Sequence, residues 1–220
     1  MKVIIACEES QTVCKAFRAR GHEAYSCDIQ EPSGGHPEWH IWGDAIEALR
    51  GGCVKTMDFQ LHDVGRWDLA ICHPPCTDLA VSGAAWFAEK QKNMSQQKSI
   101  VFFMQMFMAN ADRIAVENPV CIMSSCFRKP DQIIQPWQFG DAYNKTTCLW
   151  LVNLPKLVPT VTEKPEIEWF EWTDAKTGKK KREPKWIRDA WNLPPAERAK
   201  IRSRTFKGIA DAMSEQWGII

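Results

Sequence analysis

The chain has 220 residues, 45% of them hydrophobic and 25% charged, with a formal net charge of +1. That length suits one α/β domain with room for a small lobe. The near-neutral charge excludes binding of nucleic acid through a global field, so any such binding must come from a local patch.

Residues 2–7, Lys-Val-Ile-Ile-Ala-Cys, form a β-branched apolar run and predict a first buried strand. Glu8 and Glu9 interrupt it too soon for a signal sequence, and no apolar run reaches membrane-spanning length. Nine scattered cysteines, an odd number, predict free thiols in a reducing cytoplasm. A helix is predicted from residue 8 to about 20. Its start is acidic, Val13, Ala16 and Phe17 share one face, and Gly21 ends it. Residues 23–27 predict a second strand, closed by Asp28. A β-α-β opening with an acid at the end of its second strand fits a nucleotide-type cofactor site. Residues 30–40 read as a loop, and Ile41-Trp42-Gly43-Asp44 leads into a short helix ending near residue 49.

Trp67-Asp68-Leu69-Ala70-Ile71 predicts a short buried strand that runs into Cys72-His73-Pro74-Pro75-Cys76. The two prolines stop the strand and stiffen the turn. Cys76 is thereby presented at the C-terminal edge of the sheet, where ligands bind in open α/β folds. A long helix is predicted over residues 84–111, with Val101, Met104, Met108 and Ala111 as an apolar stripe filling the core. Residues 113–116 predict a strand ending in Glu117-Asn118-Pro119. Residues 133–135 and 147–152 predict an antiparallel pair at one sheet edge. The composition then changes over residues 155–195, where Pro, Trp and Lys interleave and the chain's only charge run, Lys179-Lys180-Lys181-Arg182, lies. Five of the eleven tryptophans follow Thr160. Residues 168–182 read as a hairpin, with alternating Glu and aromatic residues giving the strand and Lys-Thr-Gly the turn. A last helix is predicted over residues 205–217.

The Pro74-Pro75-Cys76 turn after an apolar strand, with Ser82 and Gly83 a few residues on, resembles the catalytic loop of cytosine-5 DNA methyltransferases. The resemblance extends along nearly the whole chain. Glu117-Asn118-Pro119 resembles that family's Glu-Asn-Val segment. Residues 138–147 resemble the segment whose arginines touch the target base, with Lys145 and Thr147 standing in those positions. Residues 197–206 resemble the motif after the recognition region, and Lys207-Gly208-Ile209-Ala210 falls where a closing Gly-Asn motif packs on the cofactor. The largest departure is at the first strand, where the family has Phe-x-Gly-x-Gly and this chain has Cys7-Glu8-Glu9-Ser10-Gln11.

The resemblance implies a three-layer, Rossmann-like methyltransferase fold, mostly parallel with an antiparallel edge. It implies a catalytic domain over residues 1–152 plus 196–220, and a small basic hairpin insertion over 153–195 as a reduced target-recognition region. It implies S-adenosylmethionine as cofactor, held by Cys7, Glu8, Glu9, Ser10, Asp28, Ile29, Asp44, His73 and Pro74. Double-stranded DNA is the implied partner, met by Ser82, Lys145, Thr147, Lys179, Lys180, Lys181, Arg182, Arg202 and Arg204. Small size suits a phage or mobile-element enzyme. Cys76 is the implied nucleophile, with Glu117 and Lys145 beside it. Carbon 5 of cytosine is a poor nucleophile, and a thiolate adding to carbon 6 makes it reactive. Such an enzyme swings the base out of the duplex. RNA or a free nucleotide as substrate, and a catalytically inactive binding or inhibitory protein on the same fold, remain alternatives. Zinc held by Cys72, His73, Cys76, Cys121 and Cys126 is disfavoured, because their spacing makes no paired Cys-x-x-Cys ribbon.

Overall fold

The structure, a computed structural model, describes residues 1–219, so Ile220, the last residue of the expected domain, lies outside the described residues. In chain order the strands are β1 (Lys2–Ala6), β2 (Glu23–Asp28), β3 (His40–Trp42), β4 (Gly52–Lys55), β5 (Leu61–Gly65), β6 (Trp67–Cys72), β7 (Ala111–Pro119), β8 (Gln132–Ile134), β9 (Thr147–Val152), β10 (Trp169–Thr173) and β11 (Lys180–Pro184). The α-helices are α1 (Thr12–Arg18), α2 (Ala45–Leu49), α3 (Phe87–Lys92), α4 (Ser95–Gln105), α5 (Met123–Cys126), α6 (Lys185–Ala190), α7 (Pro195–Ser203) and α8 (Lys207–Gln216).

Seven strands form one mixed sheet in the order β3-β2-β1-β6-β7-β9-β8. The first five run parallel, and β9 lies antiparallel between β7 and β8. This is an α/β protein, mostly parallel with an antiparallel edge, consistent with a Rossmann-like fold. The expected pair at 133–135 and 147–152 is that edge. Successive side chains point to opposite faces of a strand, and here both faces are covered. Val3 and Ile5 of β1 pack with Val13 and Phe17 of α1 and Ile209, Met213 and Trp217 at the last helix. Ile4 and Ala6 pack on the other face with Ala48 and Leu49 of α2 and Phe103 and Met106. Burial on both faces is why these strands read as continuous apolar runs rather than alternating ones.

Several boundaries differ from the sequence reading. The first helix begins at Thr12 rather than at residue 8, because Glu8 turns back to cap it. The expected long helix is four pieces: a 3₁₀ turn over Val81–Trp86, α3, α4 and a 3₁₀ turn over Met106–Met108. Met94, with a left-handed φ of 64°, breaks it between α3 and α4. The predicted stripe is also wrong: Val101, Met104 and Met108 face solvent, and Phe103 and Met106 fill the core. Ala111 is buried, but as the first residue of β7. The β4–β5 hairpin and helices α6 and α7 were not anticipated. The 168–182 hairpin is present as β10–β11, closed by the Asp174 carboxylate, which accepts from the Thr177 N–H and hydroxyl.

Candidate active site

β6 and β7 pair in parallel with Cys72 opposite Val116. The next residue on each, His73 and Glu117, therefore comes to the same sheet edge. A carboxylate can only accept, so Nδ1 of His73 carries the hydrogen it donates to Glu117 Oε2, at 3.1 Å. The two side chains are 10% and 18% exposed. One residue further along β7, buried Asn118 donates from Nδ2 to the Pro74 carbonyl at 2.7 Å. Prolines supply no N–H, so this side-chain bond is what ties the Pro-Pro turn to the sheet. Beyond the turn, the Cys76 carbonyl accepts from the N–H groups of Leu79 and Ala80, which folds the chain back over Cys76. Lys90 pins the next stretch through the Thr77 carbonyl and Asp78.

Lys145 enters from the segment before β9, whose Leu149 pairs with Glu117. It lines one pocket with His73, Glu117, Thr147, Arg204 and Phe206. Burial alone would raise the Glu117 carboxyl, but the hydrogen bond from His73 and the charge of Lys145 outweigh it and hold the carboxyl below its usual range. Burial raises the Cys76 thiol, and the Glu117 charge adds to this. Lys145 and Arg202 pull the other way without overcoming them. The structure thus brings Cys76, Glu117, Lys145 and Arg202 within electrostatic reach of one another. Thr147 is buried, and its hydroxyl donates to the Lys145 carbonyl, fixing the lysine's segment at the start of the strand.

The expected cofactor residues divide into two sets. Cys7, Asp28 and Asp44 come together at the ends of β1, β2 and β3. Burial, then the charges of Asp28 and Asp44, push the Cys7 thiol up to about 12. Asp28 accepts the Gln30 N–H through Oδ1. Exposed Ile29 and Trp42 sit side by side, the indole N–H bonded to the Ile29 carbonyl. Asp44 is exposed and caps α2 by accepting the Ile46 N–H at 2.8 Å. The second set is turned inward or tied locally. Glu8 is buried and both of its oxygens accept helix N–H groups, from Val13 at 2.6 Å and Cys14 at 3.2 Å. Ser10 bonds Thr12, and Glu9 lies 3.9 Å from Lys200. Pro74 is buried beneath the turn, and His73 faces Glu117.

The loop from Cys7 to Gln11 holds no glycine although Cys7 and Gln11 are left-handed, with φ of 60° and 57°; the close approach to it is made by Gly34 from the opposite side. A Cβ on Gly34 would lie 2.5 Å from the Gln11 Cβ and 2.7 Å from the Ser10 carbonyl. The Gln11 amide spans the gap to the His36 backbone and to Ser26, and His40 completes the network. Gly208 serves the last helix similarly: its N–H meets Asp141, and a Cβ would fall 1.8 Å from the Phe139 carbonyl.

Besides Lys145, just before β9, and Thr147, its first residue, the expected nucleic-acid residues lie on three elements, with Arg202 on α7. Ser82 is exposed on the 3₁₀ turn after Cys76. Lys179 to Arg182 are exposed on the hairpin, where Lys181 pairs with Asp174 and Arg182 covers Trp169 at 4.5 Å. Arg204, just past α7, lies over Tyr143 at 4.5 Å and also meets Trp186 and Phe206. Tyr143, Trp186 and Phe206 contact one another. Trp186 belongs to α6, which follows β11 directly, so this aromatic group joins the hairpin to the rim of the pocket. Sequence reasoning missed it, along with the roles of His73 and Asn118 in holding the site. Asn118 had a signal: a polar residue between Glu117 and a proline at a strand end.

Among the described residues no group of His, Cys, Asp or Glu side chains is placed to hold a metal ion, and no helix is long and apolar enough to cross a membrane. Compared with family models and with curated proteins, the sequence gives no match.

Proposed function

We propose that this chain is an S-adenosylmethionine-dependent methyltransferase that acts on carbon 5 of cytosine in duplex DNA through a covalent bond from Cys76. The observation that carries the reading is the meeting of the Pro74-Pro75-Cys76 turn with Glu117 at the ends of adjacent parallel strands, beside Lys145. Cys76 adds to carbon 6, and Glu117, near the end of the adjacent strand, supplies a proton to ring nitrogen 3. Lys145 and Arg202 favour the thiolate, against burial. The residues fit the nucleoside half of the cofactor. Asp28 keeps Oδ2 free of any partner among the described residues and suits ribose hydroxyls, and Ile29 with Trp42 offers an apolar shelf for a base. When bound, S-adenosylmethionine supplies the methyl group. The hairpin and Arg204 hold the duplex, and a hairpin this short offers few side chains to base edges, which suits a short or relaxed target sequence.

A second reading is a non-catalytic binding protein on the same fold. It is favoured by the inward-turned Glu8 and by the raised Cys76 thiol. One experiment separates the two. A random-sequence duplex in which every cytosine is 5-fluorocytosine, incubated with the protein and S-adenosylmethionine, yields a denaturant-stable protein–DNA adduct with the wild type and none with Cys76→Ser. A wild type that forms no adduct, together with no protected cytosines in a bisulfite map of DNA from expressing cells, overturns the enzyme reading.

A further inference from the structure

His73 donates from Nδ1 to Glu117, while its Nε2 is buried with no hydrogen-bond partner among the described residues. The imidazole side chain is nine-tenths buried. In so dry a place an unpaired charge is costly, and a pair that shares its charge is far less so. The condition favoured for His73 and Glu117 is therefore a neutral unit, with one proton shared between Nδ1 and Oε2. The ionisable groups facing this unit come from four directions, one of them the segment after α7, whose Arg204 lines the same pocket. Glu8 comes from the loop after β1, its carboxyl raised by burial and drawn down by His73. Lys145 comes from the approach to β9, and Cys76 from the same turn as His73.

We propose that His73 is a positioning residue acting through Glu117: it stores the proton that Glu117 delivers to ring nitrogen 3 as Cys76 adds to carbon 6, and it takes that proton back on release. The inference rests on the cytosine reading above. As the sulfur–carbon bond forms, the carbon 5–carbon 6 π pair moves into the ring and nitrogen 3 gains a hydrogen. The one shared proton supplies it: the Nδ1–H bond breaks as a Glu117 O–H bond forms, and that O–H bond breaks in turn as the N–H bond on the ring forms, leaving a neutral imidazole beside a Glu117 carboxylate. One thiolate charge disappears and one carboxylate charge, no longer balanced by an imidazolium, appears, so the pocket's net charge is constant. That constancy matters where the pair is largely withdrawn from water. It also gives a buried pair of this kind a use that a lone carboxylate would lack.

The test is the rate of adduct formation with the 5-fluorocytosine duplex and S-adenosylmethionine, followed against pH. The wild type is expected to slow on the alkaline side, where the shared proton is lost, although thiolate is then more abundant. His73→Asn keeps an N–H towards Glu117 but has no proton to give. It is expected to be slower by about a hundredfold and to lose the alkaline decline, and adding Glu117→Gln should slow it little further, since the two residues act as one unit. A His73→Asn protein with the wild-type rate and profile overturns the proposal. Should that variant fail to fold, the wild type alone decides: a rate that climbs steadily with pH contains no shared proton and overturns the proposal as well. A wild type that forms adduct while His73→Asn is indifferent removes only the role of His73. A wild type that forms none at any pH removes the cytosine reading and this inference with it.

Discussion

Asn118→Ala is the most informative change near the pocket that alters no reacting group chemically. Asn118 is 1% exposed, and its Nδ2 donates at 2.7 Å to the Pro74 carbonyl, which has no other donor among the described bonds. Removing that donor leaves a buried carbonyl unpaired, at a cost of about 1–3 kcal/mol. The other end of the same amide, Oδ1, is already buried without a partner. Alanine removes that burden too, so the net loss should fall in the lower part of the range, about 1–2 kcal/mol. For a chain of this size that lowers the thermal midpoint by about 2–8 °C. The Pro-Pro turn would no longer be tied to β7, and a displacement of the nucleophile by about 1 Å is enough to slow chemistry by about a hundredfold. Thermal unfolding and the rate of 5-fluorocytosine adduct formation measure the two effects separately. A variant that keeps both the wild-type midpoint and the wild-type rate refutes the reasoning. One that loses stability alone would mean that Pro74 and Pro75 hold Cys76 unaided.

Three further outcomes are expected. Lys181 is already paired with Asp174 and Arg182 lies over Trp169, so neutralising Lys179 and Lys180 alone should flatten the salt dependence of log affinity for duplex DNA, by up to about 0.9 for each phosphate that they neutralise in the wild type. Unchanged slope and affinity would mean that the hairpin does not hold DNA. Asp28→Ala and Asp44→Asn, the latter chosen because asparagine preserves the α2 cap, should each weaken S-adenosylmethionine binding by about 1–3 kcal/mol in calorimetry, and unchanged affinity in both would move the cofactor elsewhere. Burial alone would raise the Asp131 carboxyl, but the Leu151 N–H and Arg128 outweigh it and hold it below its ordinary value. Its stabilising contribution is then present above the unfolded-chain value of about 3.9 and is lost as pH falls through the lower folded value. Asp131→Asn should accordingly unfold more easily than the wild type at neutral pH, with the two denaturation curves converging in acid.

What could be read from the sequence follows from how locally each feature is encoded. β1 and β6 are largely apolar runs followed by acids or prolines, and burial on both faces is what such runs specify. The helix register was not legible in the same way. Residues 100–108, Ile-Val-Phe-Phe-Met-Gln-Met-Phe-Met, are apolar nearly all round, so a helical stripe can be drawn through them at several phases. Only the fit to Leu49, Trp67 and Trp150 selects Phe103 and Met106. That Cys76 and Glu117 come to the same sheet edge could be expected from the sequence, because one follows β6 by a proline-stiffened turn and the other lies near the end of β7. The bond between His73 and Glu117 could not, since it depends on Cys72 standing opposite Val116, and a parallel register is a tertiary property. Glu8 shows the opposite failure. An acid at a helix start can serve the helix or a ligand, and the sequence does not say which use is taken. Here the local use has consumed both oxygens. The first loop makes its turns without glycine, Cys7 and Gln11 themselves taking the left-handed conformation. With Glu8 folded under α1 and Gln11 bridging outward, the tight approach shifts to Gly34. A larger residue at position 34, rather than one between Cys7 and Gln11, is therefore the change that would force this loop open.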